Sequence, residues 1–293
     1  MKAKTIRAVL RKKTDQWINS IEDIGLQSAV RDDAYVTGGS IASMLLREPV
    51  NDYDIYFKTY DTALAVAHYY VAQFISEHPG GGITVQAMDG RIKIIVPSDG
   101  VAGTDPDPEV ASDGRMVEAE LDPPPKIHVE DKAEEPLEPY RPVFLSANAI
   151  TLSDKVQLVL RFYGDPNTVH KNYDFVHCTN YWDVKSGALT LHPEALEMLL
   201  ARELRYVGSK YPLCSIIRTR KFIQRGWSIN AGQYLKMAFQ LSELDLHDVA
   251  VLEEQLTGVD LVYFQSLLSA IREAGAEDKL SAGYVATLVD RMF

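Results

Sequence analysis

A glycine pair, followed at short range by an acidic strand, constrains this chain more than any other feature. Val36-Thr37-Gly38-Gly39-Ser40 leads into Ile41 to Arg47, and Asp52-Tyr53-Asp54-Ile55-Tyr56-Phe57 comes next. The aromatic and β-branched content of the second segment suits a pleated strand, and residues two apart on a strand point to the same side. Asp52 and Asp54 therefore share a face, with Cα atoms roughly 6.5 to 7 Å apart. At that spacing two carboxylates serve one metal centre. Mg²⁺ suits them, because it takes few protein ligands and completes its shell from water and substrate phosphates. Upstream, Gly38 and Gly39 lack the Cβ atoms that would hold a triphosphate off the backbone. Ser40 is placed to cap a helix running to Arg47, whose first N–H groups would face an anion. Turn, helix and acidic strand in this order point to metal-assisted nucleotidyl transfer.

These residues resemble the active-site signature of the DNA polymerase beta nucleotidyltransferase superfamily. The later chain is similar to one branch of it, the bacterial-type (class II) CCA-adding enzymes and poly(A) polymerases, in head and neck only. Lys171-Asn172-Tyr173-Asp174-Phe175 and on to Asn180 resembles that branch's Arg-Arg-Asp-Phe-Thr-Ile-Asn segment, which contributes to nucleotide sugar recognition. Pro212-Leu213 and then Ile217 to Trp227 resembles its neck helix, with Arg218, Lys221 and Phe222 matching by role.

The resemblance implies catalysis by Asp52 and Asp54 with two Mg²⁺ ions bound to them, and an NTP, ATP or CTP, as substrate. Gly38, Gly39 and Ser40 would hold its phosphates, while Arg161, Lys171, Asp174, Arg218 and Lys221 would supply further nucleotide contacts. The acceptor implied is the 3′ end of an RNA, tRNA or another, and pyrophosphate is the leaving group. There are departures. Lys210-Tyr211 stands where the branch has Glu-Asp and Cys214 where an Arg follows the Leu, so a choice between CTP and ATP does not carry over. Lys171-Asn172 stands in place of Arg-Arg, so a preference for ribonucleotides does not carry over either. Superfamily members often place a third carboxylate on a neighbouring strand; here Lys155 to Phe162 offers Gln157 and Arg161 and no interior acid. Because the signature fixes the chemistry and not the acceptor, three alternatives stay open. They are a protein acceptor, a toxin-like action on tRNA, and a catalytically inactive binding protein that keeps the fold.

The net charge of −11 argues against a nucleic-acid partner until its distribution is considered. Residues 97–142 hold thirteen acidic and four basic side chains and nine of the fourteen prolines, which leaves only −2 for everything else. With few aromatic and β-branched residues, that stretch reads as a disordered or loosely folded surface insertion. Between Leu204 and Ser242, by contrast, seven basic residues occur with no acid, interleaved with Tyr206, Tyr211, Phe222, Trp227 and Tyr234. That is the mixture expected where phosphates are neutralised and bases stack. The two cysteines, Cys178 and Cys214, have neither disulfide nor zinc spacing. No apolar run approaches the roughly 20 residues of a membrane span, so a cytoplasmic protein without membrane contact is expected.

The periodicities predict an α+β chain. The pattern gives a mixed sheet with helices on one face and then a helical remainder, and the resemblance implies that these are a nucleotidyltransferase-type head domain over 1–192 and an all-helical neck and short C-terminal cap over 193–293. Helices are expected over Ile6 to Ile24, Ser40 to Arg47, Asp61 to Glu77, Pro193 to Arg205, Leu213 to Arg225, Leu244 to Leu256, Leu261 to Ala274 and Ser281 to Arg291. Ile216, Ile217 and Phe222 mark the expected buried stripe of the neck helix. Strands are expected over Asp52 to Lys58, over Ile83 to Met88 and Arg91 to Val96 around the turn signal Asp89-Gly90, and over Val143 to Leu152 and Lys155 to Phe162.

Overall fold

Alternation along the strands decides which face of the sheet is buried. In the computed structural model, which describes residues 1–78, 82–88, 90–95, 140–246 and 248–256, the first element is helix α1 (Ala3–Asn19), then α2 (Ile24–Asp33). Strand β1 (Ala34–Thr37), helix α3 (Gly39–Leu46), strand β2 (Tyr53–Phe57) and helix α4 (Tyr60–Glu77) follow. A two-stranded hairpin, β3 (Thr84–Met88) and β4 (Arg91–Ile95), comes next. Beyond the acidic stretch come β5 (Pro142–Leu145), β6 (Ala149–Leu152), β7 (Val156–Tyr163), the short helix α5 (Pro166–His170), β8 (Tyr181–Asp183) and β9 (Leu189–Thr190). Seven strands form one mixed sheet in the order β5-β6-β7-β2-β1-β8-β9, with β2 and β7 parallel and every other pair antiparallel.

Two neighbouring rows across this sheet show the division. Ile150, Leu158, Ile55, Val36, Trp182 and Leu189 are in register and pack into the core beneath α1 to α4. One residue along, Thr151, Gln157, Asp54, Thr37, Tyr181 and Thr190 are in register on the opposite face. A one-residue slip would exchange the rows, and each buried aliphatic side chain lost costs roughly 1.5–3 kcal/mol. The hydrophobic pattern therefore fixes Asp54 on the polar face. The buried side chains Trp17 and Tyr70 tie α1 to α4, the indole N–H donating to the phenol oxygen at 2.9 Å.

Several expected boundaries shift for local reasons. The first helix stops at Asn19, and Asp23 caps a separate α2 by accepting from the Leu26 N–H at 2.9 Å. Val143 to Leu152 is not one strand. It doubles back as the β5–β6 hairpin because Ser146 Oγ accepts from the Ala149 N–H at 3.0 Å and turns the chain.

The described residues divide into two compact units, 1–95, 140–170 and 177–199 in the first, 171–176 and 200–256 in the second. Helix α6 (Pro193–Ala201) ends four residues before Arg205, where Arg202 takes a left-handed φ of 50°. In the second unit Phe175 and Tyr206 form an isolated β-bridge, and helices α7 (Pro212–Gln224), α8 (Ala231–Leu241) and α9 (Val249–Leu256) follow. The buried stripe of α7 is Cys214, Ser215 and Thr219 rather than Ile216, Ile217 and Phe222, which are half-buried. Small side chains permit the close approach that lets Cys214 Sγ donate to the carbonyl of Gln255. The expected helices over 261–274 and 281–291 and nearly all of the acidic insertion lie outside the described residues.

Candidate active site

Gly38 makes the turn from β1 into α3 with φ 88° and ψ −150°, a conformation that suits glycine. Its N–H donates to the carbonyl of Cys178 at 3.2 Å. Because the turn starts the helix at Gly39, Gly38 holds the N-cap position and Ser40 lies inside the first turn, so Ser40 does not cap the helix as expected. No side chain caps α3. Its first N–H groups are thus the unsatisfied donors that every helix start presents. The Ser40 hydroxyl beside them is 2% exposed and has no hydrogen-bond partner among the described residues. A Cβ placed on Gly39 would meet nothing within 4 Å. Open space, orphan donors and an unused hydroxyl together make a candidate anion cradle.

The carboxylates stand beside that cradle. Thr37, the residue before the turn, is paired in register with Asp54, and Asp54 is flanked on its other side by Gln157 of β7. Asp54 is half-buried; Asp52 is exposed and immediately precedes β2 rather than opening it. Gln157 occupies the neighbouring-strand position with an amide. Among the described residues no three His, Cys, Asp or Glu side chains cluster as a metal site. Two carboxylates without a third protein ligand fit Mg²⁺, which completes an octahedral shell from water and phosphate oxygens.

A buried polar cluster holds the turn in place. Thr37 Oγ1 donates to the carbonyl of Asn180 at 2.9 Å and lies 2.8 Å from Nε2 of His170. Asn180 in turn accepts from the His192 N–H through its side-chain oxygen at 2.9 Å. Burial, helped by the nearby His192, pushes the His170 imidazole down to about 4, so the ring is neutral at pH 7. Tyr35 stacks on Tyr56, its hydroxyl donates to the Gly164 carbonyl at 3.1 Å, and burial raises its phenol well above the usual range. Neither His170 nor the role of Thr37 is evident from the sequence. His170 lies 133 residues from its partner, in no motif.

The remaining expected nucleotide contacts are placed differently. Arg161 is on the Gln157 side of β7, four residues further along, and its guanidinium donates to the Asn148 side-chain oxygen at 3.1 Å. Lys171, Asp174, Arg218 and Lys221 belong to the second unit. There the buried Asp174 carboxylate is ion-paired with Arg218, while Lys171 and Lys221 are exposed. Phe175 makes edge contacts with Tyr206 and Phe222 beside this pair.

A family described as "Gad2: Gabija anti-defense 2 family protein" matches residues 8–202, two thirds of the chain. The chain belongs to the Gabija anti-defense 2 family. The span that defines membership contains Gly38 to Ser40, Asp52, Asp54, Arg161, Lys171 and Asp174, and stops before Arg218 and Lys221. A curated relative, "Gabija anti-defense 2" of Bacillus phage SPbetaL7, is 23% identical over 115 residues, which cover 39% of this chain and 29% of the relative. This family member thus matches less than a third of that relative's length. Among solved structures it is similar to the Thermotoga maritima CCA-adding enzyme complexed with tRNA, at 13% identity and TM-score 0.39, over 78% of this chain and 45% of that one. The Bacillus stearothermophilus CCA-adding enzyme in complex with CTP is similar at 12% identity and TM-score 0.34, over 79% and 47%. In both cases the chain spans about half the length of the neighbour.

Proposed function

We propose that this Gabija anti-defense 2 family member is a Mg²⁺-dependent nucleotidyltransferase. It moves NMP from ATP or CTP to the 3′ hydroxyl of an RNA of the tRNA kind and releases pyrophosphate. The observation that carries this reading is the pairing of Thr37 with Asp54, which sets the glycine turn and its anion cradle next to the carboxylates in a single register. The helix start at Gly39 and Ser40 binds the β and γ phosphates; Gly38 and Gly39 let the backbone come close. Asp52 and Asp54 are the residues that would hold Mg²⁺ at the α-phosphate end of the nucleotide. When bound there, Mg²⁺ would supply the charge that lowers the pKa of an attacking hydroxyl and neutralises phosphate oxygens. In the second unit, Arg218 held by Asp174 and the exposed Lys171 and Lys221 serve base and sugar recognition. The first unit acts as the catalytic head and the second, through α7 to α9, as the neck.

Family membership favours a second acceptor as well. An anti-defense description points to a component of the Gabija system, so the same chemistry would mark a protein of that system with a nucleotide. Incubating the pure chain with labelled ATP or CTP, Mg²⁺, bulk tRNA and separately the Gabija proteins distinguishes the two. Label in RNA that is lost with Asp52→Ala plus Asp54→Ala supports the first reading, and Asp-dependent label in protein supports the second. Label that survives the double substitution, or none with any acceptor, would falsify the transfer assignment.

A further inference from the structure

Helix α1 is two-sided in an unusual way. Ile6, Leu10, Thr14 and Trp17 are buried within the first unit, while Lys4, Arg7, Arg11 and Lys12 are exposed and line a groove of about 590 Å³ with Ala8 and Gly187. Gly187 lies between β8 and β9 with φ 66°, and the Arg11 guanidinium rests where a Cβ on it would be. None of these four cations has a carboxylate partner among the described residues. Asp15, the one acid at the groove, is engaged with Arg31 at 3.1 Å. At 1.5 Å rise per residue, Lys4 to Lys12 places four positive charges within about 12 Å along the axis. Like charges gathered on one exposed helix face repel one another modestly in water, and a bound polyanion relieves that repulsion.

We infer that this groove binds the phosphate backbone of a nucleic-acid strand, without reading its sequence. Charge complementarity to a polyanion is one reason. The other is the lining itself: among the described residues, five of the seven that line it are charged and the other two are Ala8 and Gly187, whereas protein interfaces concentrate aromatic and aliphatic anchors at a charge-poor centre. Backbone contacts need only cations and position the strand. The groove belongs to the first unit and stands independently of the transfer chemistry.

Fluorescence anisotropy of the full chain with a labelled RNA of about 20 nucleotides, titrated across KCl concentrations, tests this. Replacing Lys4, Arg7, Arg11 and Lys12 together by Ala should weaken binding at least ~10-fold at low salt, and should reduce the slope of log K against log salt by about 3, since each neutralised phosphate contributes about 0.7 on a single strand. The charge-conserving pair Arg7→Lys and Arg11→Lys should keep most of the slope, and an unchanged melting temperature shows that both variants fold. Asp52→Asn with Asp54→Asn should bind RNA like the wild type, which separates this surface from the proposed active site. An unchanged slope in the Ala variant overturns the inference. So does displacement of the RNA by polyglutamate at equal charge, which would make the partner an acidic protein, and so does a full chain that binds no RNA.

Discussion

Gly38 and Gly39 are adjacent and do different jobs, which makes them separable by substitution. Gly38 has a positive φ and an extended ψ, so Ala there stores strain of about 1–3 kcal/mol. Gly39 is already helical and faces open space; Ala there should raise stability by about 0.5–1 kcal/mol, because it loses less backbone entropy on folding. The proposed cradle predicts that Gly39→Ala nonetheless weakens ATP binding by about 10-fold, as measured by calorimetry alongside a urea melt. Stability and affinity would then move in opposite directions; affinity left unchanged would place the phosphates elsewhere. His170 supplies a second test. Its folded-state value of about 4 lies below the ordinary value near 6.5, so the unfolded chain takes the proton first. This contribution is complete above pH 6.5 and is lost as pH falls through 4, by on the order of 3 kcal/mol. Urea unfolding at pH 7 and pH 4.5 should show this loss, and His170→Gln should flatten it. At this scale the sequence exposed the glycines and carboxylates because their chemistry is local. It did not expose His170, whose importance comes from a contact with Thr37 made only after β1 and α5 have come together.

At the scale of elements, what could be read was what periodicity encodes. Strand β2 and helix α4 fall within one residue of their expected limits, since Ile55 and Phe57 are buried and α4 repeats its apolar face every three or four residues. The expected single strand over Val143 to Leu152 failed because its turn is made by a serine side chain, and Ser-Ala-Asn carries no glycine or proline to announce it. The start of α7 was legible from Pro212, yet its buried side was not, because small residues pack it. The ion pair from Asp174 to Arg218 links the 171–176 segment to α7 within the second unit. Arg218→Met leaves the carboxylate, 8% exposed, without its cation, which should cost about 1–3 kcal/mol once the partial exposure of the arginine is allowed for. Adding Asp174→Leu should restore much of that loss. A denaturant double-mutant cycle with no coupling between the two positions would show that the pair contributes nothing to the unit's stability.

Across the whole molecule, charge is partitioned more sharply than composition suggests. Residues 97–139 carry thirteen acids against three bases and contain no aromatic side chain, whereas α1 and the stretch from Leu204 to Ser242 are basic. Among the described residues, the core of the first unit draws on residues up to Ile94 and from Tyr140 onward. Removing 97–139 in favour of a short Gly-Ser linker would therefore take away ten net negative charges, leaving −1, and none of that core. Two consequences follow from this separation. The melting temperature should not fall by more than about 2 °C, because none of the described core is removed and a net charge nearer zero lessens self-repulsion. Association with RNA should quicken, because less long-range repulsion opposes the approach of a polyanion, and the gain should shrink as salt rises and the Debye length falls to about 8 Å at physiological ionic strength. Stopped-flow binding at two salt concentrations, paired with calorimetric melts of both chains, measures both. A large loss of melting temperature would mean that the acidic stretch supplies packing to the fold, and an association rate indifferent to its removal would mean that its charge is already neutralised within the protein.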